Sequence, residues 1–128
     1  MFKILLILQF CFLQVFALEW LEFDEAIKIQ EKNSKVIMID VIRSHCQYCK
    51  QMNKNVFDDK EMSKWIEKRF IPVKVNLDDD ILPIDVDVRM TPTFYFVDKN
   101  QKIIKRIPGS WNIQDFKDLT KKIKGNKK

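Results

Sequence analysis

Cys46 and Cys49 bracket two residues in the run Cys46-Gln47-Tyr48-Cys49, which follows a β-branched apolar stretch and opens a segment with helical spacing. Two thiols on the first turn of a helix share one face and lie close enough to close a small disulfide ring with little backbone movement. Such a pair can cycle between dithiol and disulfide. The first sulfur would sit beside unpaired backbone N–H groups at the positive end of the helix dipole, which favour thiolate. Cys46 is therefore the expected nucleophile, and Cys49, deeper in the helix, the thiol that attacks back on a mixed disulfide. Two structural thiols held only by packing explain a short pair at a helix start poorly. A structural zinc site usually takes four Cys or His ligands, and beyond residue 17 the chain offers Cys46, Cys49 and His45 only. No metal and no bound cofactor is expected.

Several neighbours bear on that chemistry. His45 directly precedes the nucleophile; protonated, it would stabilise the thiolate, and turned away it is an exposed loop histidine. Both readings stand on sequence alone. Asp40 is the one charge in Val36-Ile37-Met38-Ile39-Asp40-Val41-Ile42. Buried there, its carboxyl would hold its proton more tightly, and a carboxylate near Cys49 can take a proton during resolution. The alternative is a strand-end charge reaching solvent. Tyr48 offers a ring for stacking and a hydroxyl for hydrogen bonding to a substrate. Thr91-Pro92 is an X-Pro pair, the kind that adopts cis.

The elements that must position these groups follow from periodicity. Trp20, Phe23, Ala26, Ile27 and Gln30 have helical spacing and predict a helix over about 22–32, with Glu22, Asp24 and Glu25 near its start. Residues 36–42 read as a central strand covered on both faces. Cys49, Met52, Val56 and Phe57 continue a helical face after the cysteine pair. Asp58 with Glu61 resembles a capping box that restarts a helix carrying Met62, Trp65, Ile66 and Phe70. A second strand is expected over 71–77, with Pro72 near its beginning, and a third over 93–97. Asp98-Lys99-Asn100-Gln101 has turn chemistry, so 102–107 returns antiparallel. Gly109 marks a bend or bulge, and Asn112 caps a last helix with Ile113, Phe116, Leu119 and Ile123 on one face.

Composition bounds the rest. The 128 residues, 46% hydrophobic, suffice for one core, and two glycines with four prolines leave no linker. The net charge of +5 comes from 23 basic residues interleaved with 18 acidic ones, with the densest basic run in the tail, so no nucleic-acid partner is expected. Met1-Phe2-Lys3 followed by the apolar Ile4 to Phe16 and then Ala17 reads as a secretory signal peptide, 1–17, ahead of a single domain, 18–128. The alternative is an uncleaved anchor over residues 4–18, although this stretch is shorter than the roughly 20 residues that usually span a bilayer. Cys11 falls within this segment and receives no function. Export would place the remaining cysteine pair where disulfides persist. A monomer is expected.

The order helix, strand, Cys-x-x-Cys helix, strand, Thr-Pro, hairpin, helix resembles the thioredoxin fold over nearly all of 18–128. That implies an α/β architecture, a central mixed sheet of about four strands flanked by helices. Asp40 stands six residues before Cys46, at the spacing of thioredoxin's buried aspartate. Val73-Lys74-Val75-Asn76-Leu77-Asp78 is similar to the strand bearing its partner lysine, here Lys74. Thr91-Pro92-Thr93 matches the cis-proline loop, and Gly109 the glycine after the hairpin. The resemblance implies that Pro92 faces the cysteines while Thr91 offers backbone groups to an extended substrate, and that Asp40 accepts the proton of Cys49. Cys49-Lys50 to Phe57-Asp58-Asp59, Trp65-Ile66 and Phe70-Ile71-Pro72-Val73 resemble exported thioredoxin-like proteins and the C-terminal domain of the membrane reductant conductor DsbD.

Gln47-Tyr48 departs from thioredoxin's Gly-Pro. Tyrosine there, with threonine before the proline, looks more like periplasmic disulfide isomerases. The expectation is a periplasmic thiol-disulfide oxidoreductase acting on protein disulfides and dithiols, leaning to reductase, with a membrane electron donor as partner. An oxidase or isomerase is the alternative. From another class comes a non-catalytic thioredoxin-fold module that holds extended peptides, or Cu(I) through His45 and the two thiols.

Overall fold

The computed structural model describes residues 17–125. In chain order these form α1 (Phe23–Asn33), β1 (Val36–Ile42), α2 (Gln47–Met52), a π-helical segment (Asn53–Phe57), α3 (Lys60–Arg69), β2 (Phe70–Asn76), β3 (Thr93–Val97), β4 (Ile103–Pro108) and α4 (Ile113–Thr120). The sheet runs β2-β1-β3-β4. β1 is parallel to β2 and antiparallel to β3, which pairs antiparallel with β4. This is the mixed four-stranded α/β sheet that the resemblance to the thioredoxin fold implies, with 36–42 as its central strand.

The period of two along β1 builds two cores. Val36 and Met38 join Phe70, Phe94 and Phe96 under Met52, Val56, Phe57, Met62, Ile66 and Phe116. Ile37, Ile39 and Val41 join Val73, Val75, Tyr95 and Val97 against Ala26 of α1. Asp40 shares the parity of Val36 and Met38, so it belongs to the sheet face that supports α2. Phe57 anchors that face: its ring meets Trp20, Phe94 and Phe116 edge-on at centroid distances of 4.9, 5.9 and 6.1 Å. Edge-to-face contacts of this kind fix ring orientation as well as burying area.

Three boundaries differ from the sequence reading. Asp59, not Asp58, caps α3, its Oδ2 accepting the Met62 N–H at 2.8 Å. Asp58 instead closes the π-helical segment, its N–H reaching the Asn53 carbonyl at 2.8 Å. That five-residue return adds one residue to the register and moves the helix start along by one. Phe70 belongs to β2, in register with Val36, rather than to α3. α4 ends at Thr120, so Ile123 is buried from beyond the helix. Replacing Asp59 by alanine should cost about 1 kcal/mol of stability by removing the cap, read as a lower urea midpoint at constant slope.

The loop after β4 ties the hairpin to the segment before β3. Gly109 has φ 95°, a left-handed conformation that side chains disfavour. Its N–H donates to the Pro92 carbonyl at 2.8 Å.

Candidate active site

Where β1 ends, the chain must turn sharply to begin α2. His45 makes the turn with φ 58°, a left-handed conformation that histidine tolerates better than β-branched residues do. Asp78, at the end of β2, holds this turn. Its Oδ2 accepts the Ser44 N–H at 2.7 Å and its Oδ1 pairs with Arg43 Nη1 at 3.3 Å. In the sequence Asp78 stands only just past the second expected strand, 71–77, with no role of its own. The His45 side chain is exposed, and no hydrogen bond or ion pair among the described residues engages it.

Cys46 is the N-cap of α2, in extended conformation, with its sulfur accepting the Cys49 N–H at 3.1 Å. The two cysteines form a disulfide across a Cα–Cα distance of 5.2 Å. Their surroundings differ. Cys46 is half-buried at the surface, whereas Cys49 is 6% exposed and enclosed. Thr91 reaches the outer sulfur from the loop before β3: its Oγ1 donates to Cys46 Sγ at 3.3 Å, and its carbonyl oxygen lies 3.5 Å from the same atom. The Thr91–Pro92 peptide is cis.

Beside this contact a cleft of about 330 Å³ opens between α2 and the Gly109 loop, walled by Tyr48, Met90, Thr91 and Trp111. Tyr48 is 62% exposed and Met90 50%. Trp111 is fixed, its Nε1–H donating to the Pro108 carbonyl at 3.1 Å and its backbone N–H to Met52 Sδ at 3.3 Å. The sequence reading assigns Trp111 no role. Its position two residues after Gly109, the expected bend, was the available signal.

Asp40 lies on the sheet, 1% exposed. Its register partner on β2 is Lys74, and Lys74 Nζ stands 3.9 Å from Asp40 Oδ2. Oδ1 is buried with no hydrogen-bond partner among the described residues. Desolvation pushes the Asp40 carboxyl up to about 7, and the Lys74 charge opposes that only in part. Burial likewise lowers Lys74 below the ordinary lysine range, against the attraction of Asp40 and then Asp58. The strand-end alternative for Asp40 is thereby set aside: the group is enclosed. Among the described residues, no three His, Cys, Asp or Glu side chains cluster to hold a metal ion.

The structure thus brings Cys46, Cys49, Thr91, Pro92 and Tyr48 together around one disulfide, sets the Asp40–Lys74 pair on the sheet face below, and leaves His45 on the exposed turn. The family model for the thioredoxin-like domain matches residues 23–124. The chain belongs to the thioredoxin-like family. A thioredoxin from Thermus thermophilus superposes with a TM-score of 0.65 at 29% identity, over 82% of this chain and 86% of that one. A putative disulphide-isomerase from Bacteroides thetaiotaomicron gives 0.67 at 23% identity over 85% and 92%. The oxidised C-terminal domain of DsbD from Neisseria meningitidis gives 0.60 at 12% over 77% and 89%. At such identities the last two show the shared fold. No match is found among curated proteins.

With a Cys46–Cys49 disulfide at the start of α2, this thioredoxin-like protein is a thiol-disulfide oxidoreductase. No helix among its described residues is long and apolar enough to cross a membrane. The expected signal peptide, 1–17, lies outside the described residues except for Ala17.

Proposed function

We propose that the protein is an exported reductase of protein disulfides, with Cys46 as its nucleophile. The observation that carries this is the asymmetry of the pair: Cys46 is half-exposed at a helix N-terminus with Thr91 against its sulfur, and Cys49 is enclosed. In the reduced protein the Cys46 thiolate attacks one sulfur of a substrate disulfide. A mixed disulfide forms and the other substrate sulfur leaves as thiolate. Asp40, on the sheet face below α2, takes the proton of Cys49. The Cys49 thiolate then attacks Cys46 Sγ, the second substrate sulfur leaves, and two electrons have passed from the pair to the substrate. The protein ends as the disulfide described above.

Thr91 and the cis Pro92 offer the backbone against which an extended substrate lies. Tyr48 forms one wall of the cleft beside the attacked bond. Lys74 moderates the charge on Asp40. His45 acts weakly, because its exposed charge is screened by solvent before it reaches the sulfur.

The reducing direction is supported by that weak contribution and by the likeness to a thioredoxin. A strong oxidant instead needs a heavily stabilised thiolate. The apolar run 4–16 supports export to the periplasm, with an anchor over 4–18 as the other arrangement. A reductant there needs a dithiol donor that draws electrons through the membrane. Equilibration of the Cys46–Cys49 couple with glutathione tests the direction. A potential near thioredoxin's, about −270 mV, is expected, and one near about −120 mV would make the protein an oxidase.

A further inference from the structure

On the side of the Asp40–Lys74 pair reached through the N-terminal segment, a second cleft of about 500 Å³ opens, walled by Leu18, Trp20, Asn53, Phe57, Asp58 and Lys74. Three groups share the Lys74 ammonium at its inner end. Asn53 Oδ1 accepts from it at 3.2 Å, the Trp20 ring lies under it at 4.2 Å, and Asp40 Oδ2 stands 3.9 Å away, an ion pair beyond hydrogen-bond distance. A lysine with a buried carboxylate as its register partner would be expected to close on it, since charge-assisted hydrogen bonds form at about 2.7–2.9 Å. Here a neutral amide has taken the nearer place. Meanwhile Asp40 Oδ1 is left with no partner among the described residues.

We propose that Asn53 is a positioning residue for Lys74: its amide oxygen, working against the Trp20 ring, holds the ammonium back from Asp40 and so keeps that carboxyl ready to bind a proton. The inference takes its functional weight from the reading of Asp40 as the proton acceptor of Cys49.

The local backbone explains why residue 53 can do this. Asn53 is the first residue of the π-helical segment, whose wider turn separates α2 from α3. π-Helical bulges re-aim side chains that a regular helix would place elsewhere, and they concentrate at functional sites. The ionisable groups on this face are few. β2 contributes Lys74 and the end of the π-helical segment contributes Asp58; Cys49, buried on α2, ionises only when reduced. β3 sets Phe94 opposite Asp40, while α3 and α4 present Met62, Ile66 and Phe116. The ammonium is thus the one cation facing Asp40 among the described residues, and small changes in its distance act on the carboxyl directly.

The test titrates the Asp40 carboxyl carbon by NMR in the full-length oxidised protein, where neither Cys46 nor Cys49 titrates. Asp40→Asn assigns the signal. In Asn53→Ala the ammonium, still held by Trp20, closes on Asp40, and the Asp40 midpoint falls by about one pH unit. In Asn53→Asp a carboxylate grips the ammonium harder and adds a second negative charge nearby, and the midpoint rises. Opposite displacements by two variants of one residue support the proposal, because general loosening of the fold would move both the same way. Equal displacements, or none, overturn it. The pH dependence of the resolving step is then measured in the same variants. If it stays fixed while the NMR midpoints move, the positioning role stands and the reading of Asp40 as proton acceptor fails.

Discussion

Replacing Cys46 by serine should abolish disulfide reduction, whereas replacing Cys49 should leave one half of the reaction intact. A serine hydroxyl at position 46 offers no sulfur with which to form a mixed disulfide, and Cys49 cannot substitute, since it is 6% exposed and enclosed by the helix that carries it. Turnover of insulin disulfides should fall to the uncatalysed rate. The Cys49→Ser protein should still attack once and then stall, because nothing remains to displace the substrate. Equal insulin reduction by wild type and Cys46→Ser would remove the nucleophile assignment altogether. Thr91→Ala should be milder: losing the Oγ1 contact at 3.3 Å removes one donor to the sulfur, worth about 1 kcal/mol, so several-fold slower attack is expected at unchanged fold stability.

The second large effect concerns Asp40 and stability. Its carboxyl moves from the ordinary 3.8 to about 7 on folding, so the folded chain binds the proton more tightly than the unfolded chain does. The stability this allows is complete below pH 3.8, declines as pH rises through the interval up to about 7, and is lost above it. A displacement of roughly three units corresponds to as much as about 4 kcal/mol. Asp40→Asn, nearly the same in shape and unable to ionise, should remove that part of the pH slope. It should be more stable than wild type at pH 8, while the two converge near pH 4. The gain at pH 8 is reduced by Lys74, which loses its counter-charge and stays partly enclosed. Urea unfolding of both proteins between pH 4 and pH 8 measures this. Parallel stability curves would mean that Asp40 titrates as an ordinary carboxylate. A carboxyl so costly to ionise in the core is the kind of group that active sites commonly keep at the expense of stability.

Much of this site is legible in the chain because it consists of contrasts over short distances. A lone aspartate inside Val36 to Ile42 can be recognised as a group out of place, and two thiols at a helix start as a redox pair. The central strand and hairpin follow from patterns of period two and from turn chemistry. What stays hidden depends on side chains that meet across the fold. Asn53 reaches Lys74 across 21 positions through a π-helical turn that no residue spacing announces, and the same turn displaced the α3 cap from Asp58 to Asp59. Asp78 reads as the end of a strand, yet its carboxylate pins the turn that aims Cys46, across 34 positions from Ser44. Trp111 becomes a wall of the cleft beside Thr91 only once Met52 Sδ and the Pro108 carbonyl fix it. For His45 the sequence allowed two readings; its side chain is exposed on the left-handed turn that leads into Cys46.

The central claim, that Cys46 carries the substrate, is tested most directly by trapping. The Cys49→Ser protein is reduced, mixed with insulin, quenched with acid and digested without reductant, and the cross-linked peptides are identified by mass spectrometry. A substrate cysteine joined to Cys46 is the expected product. No such adduct, or one confined to Cys11, would contradict the account.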